Sequence, residues 1–276
     1  MTTSISRVAR AITADEAAEV EANGWALLPG YVGAEQVHSL RRGAESLLGL
    51  APDGAVVRPS AVVRTPSEVG RRTARTALRV FGETALDPEL GRNAGRVVNR
   101  PDSIVLVEDE VNAARDQQPG APAFHAGASS YQLDTTFGFT WIALTDIDAD
   151  QGAPVFVSGS HRLGLVGLGF YSEETMAGWD RLPAGSVSAP QAMKAGDAVV
   201  ARSETIRAFP PNTTDRVAIT YALVHAPATT TYIGWPIELP GGTEIPSHQL
   251  LTEAGLPIVH HGEDRDDWRR TQGAKG

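Results

Sequence analysis

Residues 122–164 read "PAFHAGASSYQLDTTFGFTWIALTDIDADQGAPVFVSGSHRLG". A single histidine, His125, stands ahead of a polar loop, and two β-rich runs follow it, "TWIALTDI" and "APVFVSG". Gly and Asp close these runs because they take turn conformations at low cost, and Pro because it offers no amide donor to a ladder. The same texture recurs on both sides, in "SIVLVE" (103–108), "DAVVARS" (197–203), "RVAITYALVHA" (216–226) and "TTTYIGWPI" (229–237). Short β-rich runs at this spacing predict an antiparallel sandwich or barrel.

The preceding third reads as helical. Thr13 and Glu16 have the spacing of a capping box and Gly24 stands at a helix end, which predicts a helix over 14–23. "WALLPG" reads as a short buried strand. Val37, Leu40, Ala44, Leu47 and Leu48 share one helical face, predicting a second helix between Gly33 and Leu50. Residues 51–80 are Arg-rich and less regular, and a further helix is expected over about 87–98. The organisation expected is a single domain. A helical module covers about 10–100, a β-core about 101–240 and a C-terminal tail about 241–276, the last dozen residues polar and frayed.

The 276 residues suffice for a substantial core. There is no cysteine, which excludes disulfides, Cys-ligated zinc, iron–sulfur clusters and thiol catalysis. A formal charge of −9 argues against nucleic acid or an anionic membrane as partner, leaving a small molecule. Only Lys194 and Lys275 of the 24 basic residues are lysine, a bias that with abundant Ala and Gly suggests a GC-rich bacterial genome. No apolar signal region or membrane-length apolar run is read, so a soluble, cytoplasmic protein is expected.

Several local signals fail on their own chemistry. "DIDAD" begins like a calcium loop, but Gln151 replaces the required Gly and Val157 the closing glutamate. "GLVGLG" lacks the strand–turn–helix context of a dinucleotide site. His260 and His261 read as solvated, the Glu108–Asp109–Glu110 trio as a solvated loop, and His161 as a hydrogen-bonded turn residue. The stretch from Arg64 to Arg79, with Arg71, Arg72 and Arg75, reads as a solvated helix face, or alternatively as a lid over an anionic substrate.

Taken together, "HAG", "TWIALTD", "SGSHR", "AGDAVVARSETIRAFPPNTTDRVAITY" and the opening "ITADEAAEVEANGWALLPGYVGAEQV" resemble the phytanoyl-CoA dioxygenase family of iron(II)/2-oxoglutarate oxygenases over roughly residues 10–235. The resemblance implies a double-stranded β-helix, the jelly-roll or cupin-like core, with flanking helices. It also implies an iron site of two imidazoles and one carboxylate, open on one face, and an arginine that pairs with the cosubstrate's distal carboxylate. On this chain those ligand positions fall at His125, Gly127 and Arg207, and the cosubstrate arginine at Arg216. Gly127 offers no donor, as in the halogenases of the superfamily, but those keep both histidines. A guanidinium has no lone pair to coordinate a metal. Its repulsion from a divalent ion 4 Å away is roughly 8 kcal/mol at an effective dielectric of about 20. Glu204 and His225 stand at odd offsets along their strands and should face away, whereas Asp134 lies in a loop that could swing inward.

The expectation is therefore a metal-independent, cofactor-free enzyme on an oxygenase scaffold. It would perform a non-oxidative tailoring step of bacterial secondary metabolism: cyclisation, isomerisation, epimerisation or dehydration. His125 and Arg207 would be catalytic, with Arg216, Trp141, Tyr131, Gln132 and Asp134 around an anionic or enolisable substrate. Two alternatives stand beside it. One is an oxidative enzyme, a hydroxylase or halogenase, holding iron(II) and 2-oxoglutarate by other ligands. The other is a non-catalytic small-molecule binder. Residue by residue, a purely structural role pairs Arg207 with Glu204 or Asp215 at the barrel rim and makes His125 a hydrogen-bonded core residue.

Overall fold

The computed structural model describes residues 8–50, 62–65, 68–114, 123–164, 166, 171–177, 181–239 and 243–263. The chain opens with α1 (Ala14–Asn23), β1 (Trp25–Leu28) and α2 (Ala34–Leu48). Both halves of the Thr13–Glu16 capping box form, and Gly24 ends α1 in the left-handed region at φ 86°, where an L side chain would be strained. There follow β2 (Val62–Thr65), β3 (Glu68–Arg72), α3 (Ala74–Ala77), α4 (Arg79–Ala85) and α5 (Pro88–Val97). Asp87 caps α5 and Pro88 pre-sets its first turn. The Arg-rich stretch thus becomes two short strands and two short helices, not one solvated helix face.

The β-core comprises β4 (Ile104–Ala114), β5 (His125–Ala126), β6 (Gly138–Ala143), β7 (Val155–Phe156), β8 (Ala198–Arg202), β9 (Ile206–Ala208) and β10 (Ala218–Pro227). Between β7 and β8 lies α6 (Glu173–Ala177). The chain continues through β11 (Thr231–Tyr232), β12 (Ile237–Leu239), β13 (Thr243–Ile245), β14 (Gln249–Leu250) and β15 (Ile258–His260). The larger sheet runs β1-β8-β6-β10-β4-β3-β2, with β15 also on β4, and the smaller runs β5-β9-β7. This is the expected mainly β, jelly-roll class with flanking helices. The 241–276 segment is not simply a tail: Ile245, Leu251, Leu256 and Val259 are buried, and His260 belongs to a strand paired with β4. The last dozen residues, expected to be frayed, lie outside the described residues.

Strand alternation divides the core. Ile219, Tyr221 and Leu223 of β10 join Val111 of β4 and residues of α1, α2, α4 and α5 in one apolar cluster. Phe139 and Trp141 of β6, Val224 of β10 and Phe156 of β7 pack in another. Along β4 the alternation breaks once. Glu108 pairs with Val224 but Leu106 with His225, so Val107 is an extra residue. This bulge carries Glu108, Glu110 and Asn112 to the face turned from the helices, and Asp109 to the helix side.

Candidate functional site

A cavity of about 310 Å³ lies between the two sheets. Its centre is Arg207, only 3% exposed, whose guanidinium carbon stands 4.0 Å from the Phe139 ring centre and 4.7 Å from that of Trp141. Those two rings stack with centroids 5.2 Å apart and planes 1° from parallel. Cation–π contact in such a desolvated place contributes about 2 kcal/mol. It does not satisfy the hydrogen-bonding capacity of the group. Among the described residues neither Nε nor Nη1 of Arg207 has a partner, and a buried donor left without an acceptor costs about 1–3 kcal/mol. Burial pushes the guanidinium down to about 9, which still leaves it charged at neutral pH. The expected alternative, an ion pair with Glu204 or Asp215, does not form: Glu204 accepts from Thr136 and Ser203 instead.

His125 pairs with Arg207 across β5 and β9. Its Nδ1 lies 3.3 Å from the Ala123 carbonyl, which can only accept, a contact that favours the tautomer with the proton on Nδ1. Burial, and then the neighbouring charge of Arg207, hold the imidazole below its ordinary value, favouring the neutral form. Gly127 follows on a short turn. A Cβ built there would stand 2.6 Å from Arg207 Nη1 and would also collide with the Phe139 ring. Guanidinium and ring fill the space that a carboxylate side chain would need.

The opposite wall is acidic. Glu108 and Glu110 line the cavity, Tyr131 donates its hydroxyl to Glu108, and Arg72 reaches Glu108 at 2.8 Å and Glu110 at 3.9 Å. Burial, followed by the Glu108 charge, raises the Tyr131 phenol well above its usual value, so it stays protonated. These carboxylates were expected in a solvated loop. Both stand in mid-strand, Glu108 buried and Glu110 half-buried, and regular alternation could not place them because the bulge at Val107 resets it.

Of the other residues expected at the site, Trp141 and Tyr131 line the cavity. Gln132 and Asp134 do not: both are exposed, and Asp134 accepts from the Thr231 amide at 2.8 Å. Arg216 is also exposed, bonded to Asp148 at 2.8 Å, so its expected place low in the barrel is corrected. Asp148 and Asp150 of "DIDAD" serve Arg216 and Asp146 serves Lys194, an ion-pair role in place of calcium. His225 points away from the cavity as expected, and His161 lies 3.2 Å from the Glu21 carbonyl in its turn.

A family model described as Phytanoyl-CoA dioxygenase (PhyH) matches residues 20–219. Among solved structures, the epimerase SnoN in complex with Fe3+, alpha ketoglutarate and nogalamycin RO is 21% identical at a TM-score of 0.73, covering 89% of this chain and 98% of its own. The non-heme alpha ketoglutarate dependent carbocyclase SnoK from nogalamycin biosynthesis is 18% identical at 0.63, covering 93% and 97%. EvdO2 from Micromonospora carbonacea var. aurantiaca, complexed with 2-oxoglutarate, is 18% identical at 0.64, covering 84% and 97%. Comparison with curated proteins gives no match.

These structures correct the expectation that no cofactor is used, since SnoN is solved with iron and alpha ketoglutarate and EvdO2 with 2-oxoglutarate. The side chains of this chain nevertheless do not reproduce the usual iron ligation. His125 is the one imidazole at the three ligand positions, Gly127 has no room for a carboxylate, and Arg207 presents a cation. Among the described residues no three His, Cys, Asp or Glu are grouped to hold a metal ion. No chemical step is therefore derived through iron.

Proposed function

The chain belongs to the phytanoyl-CoA dioxygenase family, a family of enzymes, and from that premise we propose a natural-product tailoring step without net oxidation, an epimerisation or related isomerisation or cyclisation. The observation that carries this reading is Arg207: a buried cation that lines the cavity, its Nε and Nη1 without a hydrogen-bond partner among the described residues, one strand from an imidazole held toward its neutral form. Such a pair suits proton abstraction next to a carbonyl. Nε2 of His125 takes the proton, the C–H electron pair moves to the carbonyl oxygen, and Arg207 stabilises the resulting enolate. Return of a proton to carbon restores the carbonyl with inverted configuration, or a neighbouring electrophile closes a ring. The described tailoring roles of SnoN and SnoK support the substrate class.

The test is turnover of candidate substrates related to nogalamycin in D2O, with and without iron(II) and 2-oxoglutarate. The expected product is an isomer of the substrate carrying one deuterium, and H125A and R207M each lower the rate at least a hundredfold. A second reading, oxidative chemistry with other ligands, is favoured by the iron and 2-oxoglutarate in the solved relatives. Succinate formed in step with product would establish it and overturn the first.

A further inference from the structure

Arg207 asks for an acceptor, and the register of the large sheet shows what else meets the same ligand. Across the sheet, Trp141 on β6 stands beside Ala222 on β10, which stands beside Glu110 on β4. One row along, Phe139, Val224 and Glu108 follow the same order. The cavity floor is therefore low in the middle, at Ala222. The aromatic shelf under Arg207 bounds it on one side and the two carboxylates on the other. Strands β6 and β4 are two strand spacings apart, ~10 Å. That is wider than one aromatic ring and suits two or three fused rings. A flat molecule suits such a slot, because the aromatic side chains of Trp141 and Phe209 line it while Ala222 and Ala218 leave it height.

We propose that the cavity takes a molecule with a planar, fused-ring hydroxy-aromatic portion, with one acidic oxygen accepting from Arg207 and a hydroxyl at its far end donating to the Glu108–Glu110 wall. Arg72 holds that wall in place from β3 and Tyr131 from the loop after β5. The acidic oxygen thereby gives the Arg207 guanidinium a counter-charge. A phenol bound there ionises more readily than in water, because a cation in a dry site favours the anion. This names the substrate class for the proposed function and rests on the same reading of Arg207 as an oxyanion partner.

The probes are 2,6-dihydroxyanthraquinone and 2-hydroxyanthraquinone, whose colour changes on ionisation, titrated into the full chain without turnover. The dihydroxy compound is expected to bind about tenfold more tightly. Both probes should ionise about one pH unit lower when bound. R207M removes that shift for both probes, while R207K keeps it. E108Q/E110Q erases the preference for the second hydroxyl and leaves the shift. Equal affinities for the two probes, no binding of either, or a shift that survives in R207M would overturn the proposal, and the first two need no variant. A protein that isomerises its substrate in D2O but ignores the second hydroxyl keeps the proposed function and loses this inference. One that prefers the second hydroxyl but shows no turnover does the reverse.

Discussion

His225 is buried on β10 with neither ring nitrogen hydrogen-bonded among the described residues, and burial pushes its pKa from 6.5 down to about 4. Its folded value lies below its unfolded one, so the unfolded chain takes up a proton that the native state refuses. The stability this protects is complete above pH 6.5 and is lost as pH falls toward 4, reaching about 3 kcal/mol. In urea titrations at pH 7 and 4.5, the parent should lose much more stability between the two than H225L. Parallel losses would show that His225 does not set the acid limit. The sequence indicates that this side chain turns from the cavity, but its reference point, Arg216, lies at the surface. His125, Arg207 and Trp141 were legible because each stands inside a motif. Gln132 and Asp134 were not, because loop residues carry no periodicity from which to read a direction.

Strand β4 shows how an element escapes a reading that its own residues invite. "VEDEV" resembles a solvated acidic loop, yet Asp109 is fully buried. It bonds Arg75 at the start of α3 and accepts from the Tyr221 hydroxyl of β10 at 3.0 Å. Loss of one partner leaves a buried charge without compensation, so D109A should cost about 3–5 kcal/mol in chemical denaturation. A cost under about 1 kcal/mol would mean that water replaces the bond. The helices were legible by contrast, because the Thr13–Glu16 box, Gly24 and the Asp87–Pro88 start are local signals that need no distant partner. A bulge has no such signature. Only the pairing of β4 with β10 fixes where Val107 falls, and with it which carboxylates meet a ligand.

At the scale of the molecule, the helical third and the β-core share one apolar cluster, reaching from Val20 and Leu40 to Tyr221 and Leu223. One cooperative unit is therefore expected. Helical circular dichroism and tryptophan fluorescence should lose signal at the same denaturant concentration, whereas separated midpoints would divide the chain in two. A helical third followed by a β-core was readable in advance, though not the strands β2 and β3 within that third; the facing of two sheets around a charged cavity was not, since it depends on contacts far apart in sequence. The end of α1 illustrates such contacts. Gly24 O accepts from Thr205 Oγ1 at 2.8 Å and from the Arg202 amide at 2.9 Å, and Glu21 O accepts from Arg162 at 3.2 Å. Thr205 stands two residues before Arg207. The first helix thus works as a clamp on the turn that aims the buried guanidinium, and trimming the chain behind residue 24 would unfasten the binding chamber from a face that never touches its contents.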